Sequence, residues 1–254
     1  LRAFQARLYR APAIVVSVAG AFDRDEVHRL AEKRFGAVPR ETTPAAARGS
    51  CVLTGGFRHI DKPLEQTHIA FAAPGCGVCD DHYYASRVFT EILGGGMSSR
   101  LFQKVREEAG RAYSVYAYLD AYDDIGTTGV YVGADEAHAA DALSMCLQEI
   151  AALAQSVRSD ELARAKALLR SSLLMGLESP LARAERSAGQ LFSFGRLIDP
   201  EETLSALEGV STRDIEDAAQ RALVGAMSLA VVGPAPFDRL EAAVQAFGRD
   251  HGLA

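Results

Sequence analysis

The stretch from Ile92 to Tyr122, ILGGGMSSRLFQKVREEAGRAYSVYAYLDAY, decides the fold of this chain. Its pattern predicts the end of one helix, a glycine-rich turn, a second helix from Ser98 or Ser99 to Gly110, and a long strand rich in tyrosine. Glycines allow a tight backbone turn, and serine hydroxyls can accept from the free N–H groups of the next helix. The stretch therefore places Arg106 in the last turn of a helix and Tyr113 at the start of a strand.

The composition predicts a globular protein with a packed core. The chain has 254 residues, of which 48% are hydrophobic, and a formal net charge of −6. This acidic balance argues against a nucleic-acid partner, because phosphate contacts require an excess of Lys and Arg. The longest apolar runs, such as Ala13 to Ala21, have the length of a strand and are too short to cross a membrane.

The cysteines and the chain start say little about the cellular compartment. No disulfide framework is recognisable, so we expect reduced thiols at Cys51, Cys76, Cys79 and Cys146. No targeting segment is visible, and we expect that Leu1 is not the native start of the protein. The compartment stays open, with the cytoplasm as the default.

Before the central stretch, the sequence predicts two regions separated by a linker. An apolar run predicts a strand from Ala13 to Ala19, and Asp23 is placed to cap a helix that ends at Phe35. Residues 39–50, rich in Pro, Ala and Thr, predict a linker, which gives three segments: 1–40, 41–50 and 51–254. We expect strands from Cys51 to Ile60 and from Gln66 to Ala73 to form an antiparallel pair.

After these strands, the pattern predicts an α+β domain with an antiparallel sheet covered by helices. Asp80 or Asp81 is placed to cap a helix that ends near Leu93, and strands Ala112–Tyr122 and Thr128–Ala134 form a hairpin. The remaining predicted elements are helices over 136–155, 160–177, 180–194, 201–207 and 212–222, a strand over 227–232 and a helix over 237–247.

The two ends of the chain repeat one ordered series of landmarks. Residues 226–233 (AMSLAVVG) align with residues 12–20 (PAIVVSVAG), and both copies continue with Phe-Asp, a helix and a closing Phe-Gly. An ordered series of this kind indicates tandem domains of one design. We therefore expect residues 1–40 to close a first domain whose other elements precede this sequence.

Together, the repeat and the central stretch resemble the insulinase, or mitochondrial processing peptidase, family of zinc endopeptidases. YRAPAIVVSVAGAFDRDEV resembles the closing strand of the family's first domain, and LGGGMSSRLFQKVREEAGRAYSVYA resembles the centre of its second. The resemblance implies a clamshell of two homologous α+β domains around a peptide-sized chamber. It also implies a zinc held in the first domain by an inverted H-x-x-E-H helix, and the six histidines of this chain lack that spacing.

The resemblance assigns roles to residues of the central stretch. It implies that Arg106 and Tyr113 are catalytic and donate to the substrate carbonyl and its developing oxyanion. Gly94, Gly95, Gly96 and Ser98 would contact the peptide. No metal ligand is expected in this chain, and the zinc would lie in the missing N-terminal domain or in a homologous catalytic subunit.

Each of these assignments has a plainer alternative. Arg106 can be a solvated charge near a helix C-terminus, with Arg111 competing for its role, and Tyr113 can be a core aromatic because alternation places it with Val115. The glycine triplet lacks the spacing of a phosphate-binding loop, and its plainer use is to form a turn. A cluster of two thiols and an imidazole, formed by Cys76, Cys79 and His82, could bind zinc or be redox-active.

Two functional hypotheses follow from the resemblance, and a third is an unrelated α+β module with a redox-active pair at Cys76 and Cys79. The first is the C-terminal, substrate-binding half of a processing-peptidase-like zinc metalloendopeptidase that acts on peptides, inactive alone because it lacks the zinc motif. The second is a non-catalytic family member that binds peptides or serves as a structural partner subunit. The expected partners are a peptide substrate, the N-terminal domain or a catalytic subunit, and a second copy in a homodimer; neither nucleic acid nor a membrane is expected.

Overall fold

The computed structural model describes residues 1–40 and 51–250, so the predicted linker at 41–50 lies outside the described residues. These residues divide into two compact units. The first contains residues 1–40 and 171–200, and the second contains 51–170 and 201–250. Among them, no helix has the length and apolarity needed to span a membrane.

The helices of both units are α1 (Arg2–Leu8), α2 (Arg24–Phe35), α3 (Tyr83–Gly94), α4 (Ala139–Gln155), α5 (Ser159–Glu178), α6 (Pro180–Phe194), α7 (Pro200–Gly209), α8 (Thr212–Ala222) and α9 (Phe237–Asp250), with a 3-10 turn at Ala11–Ala13 and a π-helix at Phe102–Glu108. The strands are β1 (Gly56–Ile60), β2 (Thr67–Gly75), β3 (Ser114–Ala121), β4 (Gly126–Ala134) and β5 (Ser228–Val232).

In the first unit, the cap prediction is confirmed and the strand prediction is wrong. Asp23 caps α2 by accepting a hydrogen bond of 2.8 Å from the Glu26 N–H. Residues 14–19 carry no strand, because a strand requires a hydrogen-bonded neighbour and the described part of this unit contains none. The glycine that ends each aligned segment of the repeat has a similar positive φ, 127° at Gly20 and 144° at Gly233.

We expect the unpaired segment at 14–19 to drive self-association of this chain. Val16 and Val18 are 50% and 43% exposed. An exposed apolar segment that has no neighbouring strand can pair with a strand of another molecule. Light scattering should show species larger than a monomer, and the double substitution Val16→Lys/Val18→Lys should reduce them. A monodisperse wild-type monomer would contradict this expectation.

The second unit contains one open five-stranded sheet with the order β1-β5-β2-β4-β3. The hairpin of β3 and β4 is confirmed, with Tyr116 opposite Tyr131. The predicted antiparallel pairing of β1 with β2 is wrong. The last strand, β5, lies between them, parallel to β1 and antiparallel to β2. β1 and β2 therefore do not form a hairpin, because a five-residue strand from the far end of the chain separates them.

Alternation along the strands places apolar side chains on the face that the helices cover. Ile69, Phe71, Val130 and Val132 are at most 2% exposed and pack with residues of α3, α4 and α8. The other face carries Tyr116, whose ring stacks on that of Tyr131 at 4.9 Å between centroids. The α+β prediction is confirmed, and β3 forms one edge of the sheet, next to the π-helix that precedes it in the chain.

The start of α3 lies later than predicted. The helix begins at Tyr83, and the carboxylate of Asp80 accepts a hydrogen bond of 2.8 Å from the His82 N–H in the turn before it. Asp80 therefore stabilises the turn and does not cap the helix. The predicted bounds of α6 and α8 are confirmed at both ends.

Candidate functional site

The glycine-rich turn begins where α3 packs most closely on the sheet. Gly94 is buried, and a Cβ there would run into the backbone nitrogen of Ala117 on β3. The next residues, Gly95, Gly96 and Ser98, are exposed. The turn is closed by Ser99, whose hydroxyl donates to the carbonyl of Gly96 at 2.6 Å. Of the four predicted peptide contacts, one is thus a packing position and three face solvent.

The helix after the turn is wider than predicted. Residues 102–108 form a π-helix, and the N–H of Ala109 donates to the carbonyl of Lys104, five residues earlier, at 3.1 Å. Gly110 then has a φ of 61°, which lets the N–H of Arg111 reach back to the carbonyl of Val105 at 2.8 Å. Helical turns of this rare kind occur frequently at functional sites.

Arg106 projects from this π-helix and remains accessible. Its guanidinium lies 4.7 Å from the centroid of the Phe102 ring and 3.6 Å from a carboxylate oxygen of Glu107. The side chain is 44% exposed, so neither contact removes it from solvent. The ring contact orients the planar group and leaves N–H donors available for a ligand.

Tyr113 is exposed, which argues against a core aromatic. The residue is 60% exposed, and its backbone N–H donates to the carbonyl of Gly133 at 2.8 Å, which fixes the residue immediately before β3. Among the described residues, no hydrogen bond involves its phenolic oxygen. The hydroxyl can therefore donate to a bound molecule.

A buried ionic network, absent from the sequence analysis, anchors the helix that carries Arg106. Arg100 makes two hydrogen bonds to Glu161 of α5, at 2.8 and 3.0 Å, and a third to the carbonyl of Ser156 at 3.0 Å. One turn later, Lys104 lies 2.6 Å from Glu149 of α4. The spacing of Arg100 and Lys104 on one helical face is a sequence signal for this network, but it does not identify the partners.

The network lowers the pKa of Glu161 despite its burial. Burial alone would raise the pKa of this carboxyl, but the hydrogen bonds and charge of Arg100, together with the Arg158 N–H, bring it below its ordinary value. Glu161 and Arg100 have side chains only 7% and 12% exposed. The ion pair therefore holds two charges in the interior by direct hydrogen bonds.

A cavity of about 230 Å³ lies between the glycine-rich turn, the end of α3 and the first half of α5. Its walls include Gly95, Gly96 and Ser98, which the sequence analysis placed at the peptide. Glu91 of α3 also lines it, and burial raises the pKa of this carboxyl, with Arg87 acting in the opposite direction.

The residues that the structure describes do not suit a metal ion. Within 1–40 and 51–250, no group of three or more His, Cys, Asp or Glu side chains could hold one. The alternative zinc site at Cys76, Cys79 and His82 is therefore not formed. Cys76 is buried, which raises its pKa, so its thiol is a poor nucleophile.

Comparison with known proteins identifies the family. A family model described as the peptidase M16 inactive domain matches residues 1–169. A Streptomyces coelicolor protein named as an uncharacterized zinc protease is 33% identical over 242 residues, which cover 92% of this chain and 53% of that protein. This chain belongs to the peptidase M16 family. A Rickettsia bellii protein, also named as an uncharacterized zinc protease, is 32% identical over 236 residues, which cover 91% of this chain and 56% of that protein. The chain thus spans about half the length of these relatives.

Solved structures of this M16 fold match most of the chain. The crystal structure of a peptidase M16 inactive domain from Pseudomonas fluorescens has a TM-score of 0.80, with 22% identity over 92% of this chain and 57% of that one. A chain of complex III2 from Candida albicans, bound to Inz-5, has a TM-score of 0.74 and 20% identity, over 92% and 57% of the two chains. At these identities, the likeness shows the fold alone.

The close approach at Gly94 gives a prediction for stability. Gly94→Ala should lower the free energy of unfolding by about 1–3 kcal/mol, because the new methyl group meets backbone of β3 and α3 must shift. Gly96→Ala is the matched control, since a Cβ at Gly96 meets no atom within 4 Å. Urea denaturation of both variants checks this, and equal stabilities would show that α3 moves at no cost.

Proposed function

We propose that this chain is the C-terminal, substrate-binding half of a zinc metalloendopeptidase that acts on peptides. Its M16 membership and its relatives named as zinc proteases support the reaction class. The observation that carries the proposal is the exposure of Arg106 and Tyr113 at the two ends of one bend, each with free donors. The chain is proposed to complete an active site whose remaining groups lie elsewhere.

In the proposed mechanism, Arg106 and Tyr113 bind the substrate carbonyl at the bond to be cleaved. A guanidinium and a phenol both donate hydrogen bonds, and these strengthen as negative charge develops on the carbonyl oxygen. The described residues do not fit a zinc ion, so no step through the metal is derived from this chain. Zinc is proposed to be bound by the N-terminal domain or by a catalytic partner subunit.

The exposed part of the glycine-rich turn is the proposed contact for the peptide backbone. Gly95, Gly96 and Ser98 present accessible main chain beside the cavity at the end of α3. Gly94 would act on the peptide indirectly, because it sets how closely the turn approaches β3. This arrangement supports recognition of an extended chain by its main-chain groups, which all peptides share.

The proposed domain organisation follows from the repeat. Residues 1–40 would close a first domain of the same design as the second, residues 41–50 would link them, and 51–254 would form the C-terminal domain of a two-domain clamshell. The similar positive φ at Gly20 and Gly233 supports this duplication. The remaining strands of the first domain would then be partners for residues 14–19.

A second candidate function is a non-catalytic subunit that binds peptides or has a structural role. It is compatible with the match to an inactive domain, and the structural neighbour in complex III2 has the same fold. The two candidates differ in the rest of the polypeptide. Upstream residues of the same open reading frame with an H-x-x-E-H helix favour the peptidase, and their absence favours the subunit.

The peptidase proposal is tested by hydrolysis of unstructured peptides. The longer protein, or a complex of this chain with a zinc-containing partner, should cleave them, and this chain alone should not. A zinc-loaded longer protein that binds peptides without cleaving them would refute the peptidase and support the subunit.

A further inference from the structure

We propose that a second cavity, at the start of α3, binds a small zwitterion of the class of a free α-amino acid with a polar side chain. Arg221 would bind its carboxylate, Asp80 its ammonium group and Thr128 its side chain. The 12 residues of α3 separate this cavity from the glycine-rich turn by about 18 Å, so the inference is independent of the proposed peptide binding. Neither the family match nor the relatives' names assign a ligand to it.

The cavity has the size of a site for a whole small molecule. Its volume is about 530 Å³, within the range of roughly 300–1,000 Å³ typical of small-molecule sites. It lies where the end of β2 and the start of β4 meet the first turn of α3 and the second half of α8. Pro74, Ala218 and Val224 supply apolar walls, and most of the other lining residues are polar or charged.

Thr128 places a buried hydroxyl in the cavity wall. The residue is 4% exposed, and alternation along β4 puts its side chain on the helix-covered face with those of Val130 and Val132. Within the described residues, no hydrogen bond involves this hydroxyl. A buried hydroxyl without a partner costs free energy, so a ligand with a polar group that reaches Thr128 binds more tightly than an apolar one.

Two opposite charges line the cavity without pairing with each other. Within 51–250, no salt bridge reaches the guanidinium of Arg221 or the carboxylate of Asp80. Both lie close to the Cys76 thiol: burial is the main cause of its raised pKa, Asp80 adds to the effect and Arg221 opposes it. One oxygen of Asp80 accepts from the His82 N–H at 2.8 Å, and the other remains available. A cation and an anion that line one cavity and stay apart are complementary to a ligand that carries both charges.

The other acids near this cavity are already engaged. Asp217 pairs with Arg213 at 3.2 Å. Asp214 accepts two hydrogen bonds of 2.7 Å from Ser211, one from its backbone N–H and one from its hydroxyl. These contacts leave the guanidinium of Arg221 available for the carboxylate of a ligand.

The test compares L-glutamine with three analogues that each lack one recognised group. L-Glutaminamide lacks the carboxylate, glutaric acid monoamide lacks the ammonium group, and L-norleucine replaces the side-chain amide by an apolar chain. Isothermal titration calorimetry of the 254-residue chain should show L-glutamine binding with a dissociation constant of about 0.1–1 mM. Each analogue should bind about tenfold more weakly.

Three substitutions remove the protein groups one at a time. Arg221→Gln, Asp80→Asn and Thr128→Val should each weaken L-glutamine about tenfold, and none should weaken the analogue that lacks the matching group. Asparagine can still accept the hydrogen bond in the turn, and valine has the shape of threonine, so these variants should fold. Asp81→Asn, at the neighbouring exposed acid, and Thr127→Val, on the opposite face of β4, are matched controls that should bind L-glutamine like wild type.

The outcomes decide each part of this inference. No binding of L-glutamine at about tenfold above the expected dissociation constant, in a chain shown to be folded by thermal denaturation, refutes the site. Binding that all three variants leave unchanged also refutes it. Glutaric acid monoamide that binds as tightly as L-glutamine refutes the zwitterion and identifies a site for a simple carboxylate. If a variant fails to fold, the analogue series on the wild type still tests the same group. None of these results depends on peptide binding or cleavage, so this inference and the proposed function fail separately.

Discussion

Replacing Arg100 by alanine is expected to lower the free energy of unfolding by about 3 kcal/mol. The guanidinium joins the helix after the glycine-rich turn to α5 through two hydrogen bonds to Glu161. Removing it leaves a carboxylate that is 7% exposed without its main partner. The loss of stability comes mainly from leaving the buried charge of Glu161 without a partner, and much less from losing the attraction between Arg100 and Glu161.

A matched arginine separates this effect from a general loss of charge. Arg170 pairs with Glu208 at 3.8 Å, and both side chains are about half exposed, so Arg170→Ala should cost less than about 1 kcal/mol. The double substitution Arg100→Met/Glu161→Leu should be more stable than Arg100→Ala, because it removes both charges together. Urea denaturation measures all three variants. The explanation is overturned if Arg100→Ala costs no more than Arg170→Ala.

The sign of the pH dependence follows from Glu161. The folded protein holds the pKa of this carboxyl below its ordinary value, so the ion pair contributes stability above the pKa of the unfolded chain. The contribution is lost as pH falls through the folded pKa. The difference in stability between wild type and Arg100→Ala should therefore shrink in the acidic range below the ordinary pKa of glutamate.

Local signals predicted most elements of the fold. Helix α8 has the predicted bounds, and its N-terminus is fixed by the reciprocal cap of Ser211 and Asp214, which needs only four adjacent residues. The β3–β4 hairpin was predicted because a short turn joins two segments that are adjacent in sequence. The family resemblance came from the repeat and the central stretch together, and the spacing of residues within the central stretch was the more specific signal.

Interactions distant in sequence were not predictable in the same way. Strand β5 separates β1 from β2 although it lies more than 150 residues later, and no local pattern distinguishes that order from a hairpin. Arg100 binds the carboxylate of Glu161, which is 61 residues away in sequence, and Lys104 binds that of Glu149, which is 45 residues away. The π-helix was predicted as an ordinary helix, because apolar periodicity does not distinguish the two over seven residues.

Arg106→Ala and Tyr113→Phe, in the longer protein or in a complex that contains the zinc motif, are each expected to lower kcat/KM on unstructured peptides by about 10²–10³-fold. Each change removes a donor to the oxygen on which charge develops, so the loss should appear mainly in kcat. Zinc content should stay unchanged, because the described residues of this chain do not form a metal site.

Local controls distinguish this role from structural damage. Tyr122→Phe removes the phenol of another exposed tyrosine, 71% exposed, and should leave the rate unchanged. Arg111→Ala tests the neighbouring candidate, and a large loss there with none at Arg106 would transfer the role. Arg106→Ala also loses a contact with the Phe102 ring worth about 0.5–1 kcal/mol, so thermal denaturation must show folded protein.

The decisive comparison is between the two donors, because they lie on different elements. Arg106 belongs to the π-helix, Tyr113 lies immediately before β3, and Gly110 forms the bend between them. If both donors act on one oxygen, the double variant should lose less than the product of the two single losses. Wild-type rates in both single variants would overturn the catalytic assignment. Such a result would leave the exposed bend as a surface for binding only, as the non-catalytic subunit requires.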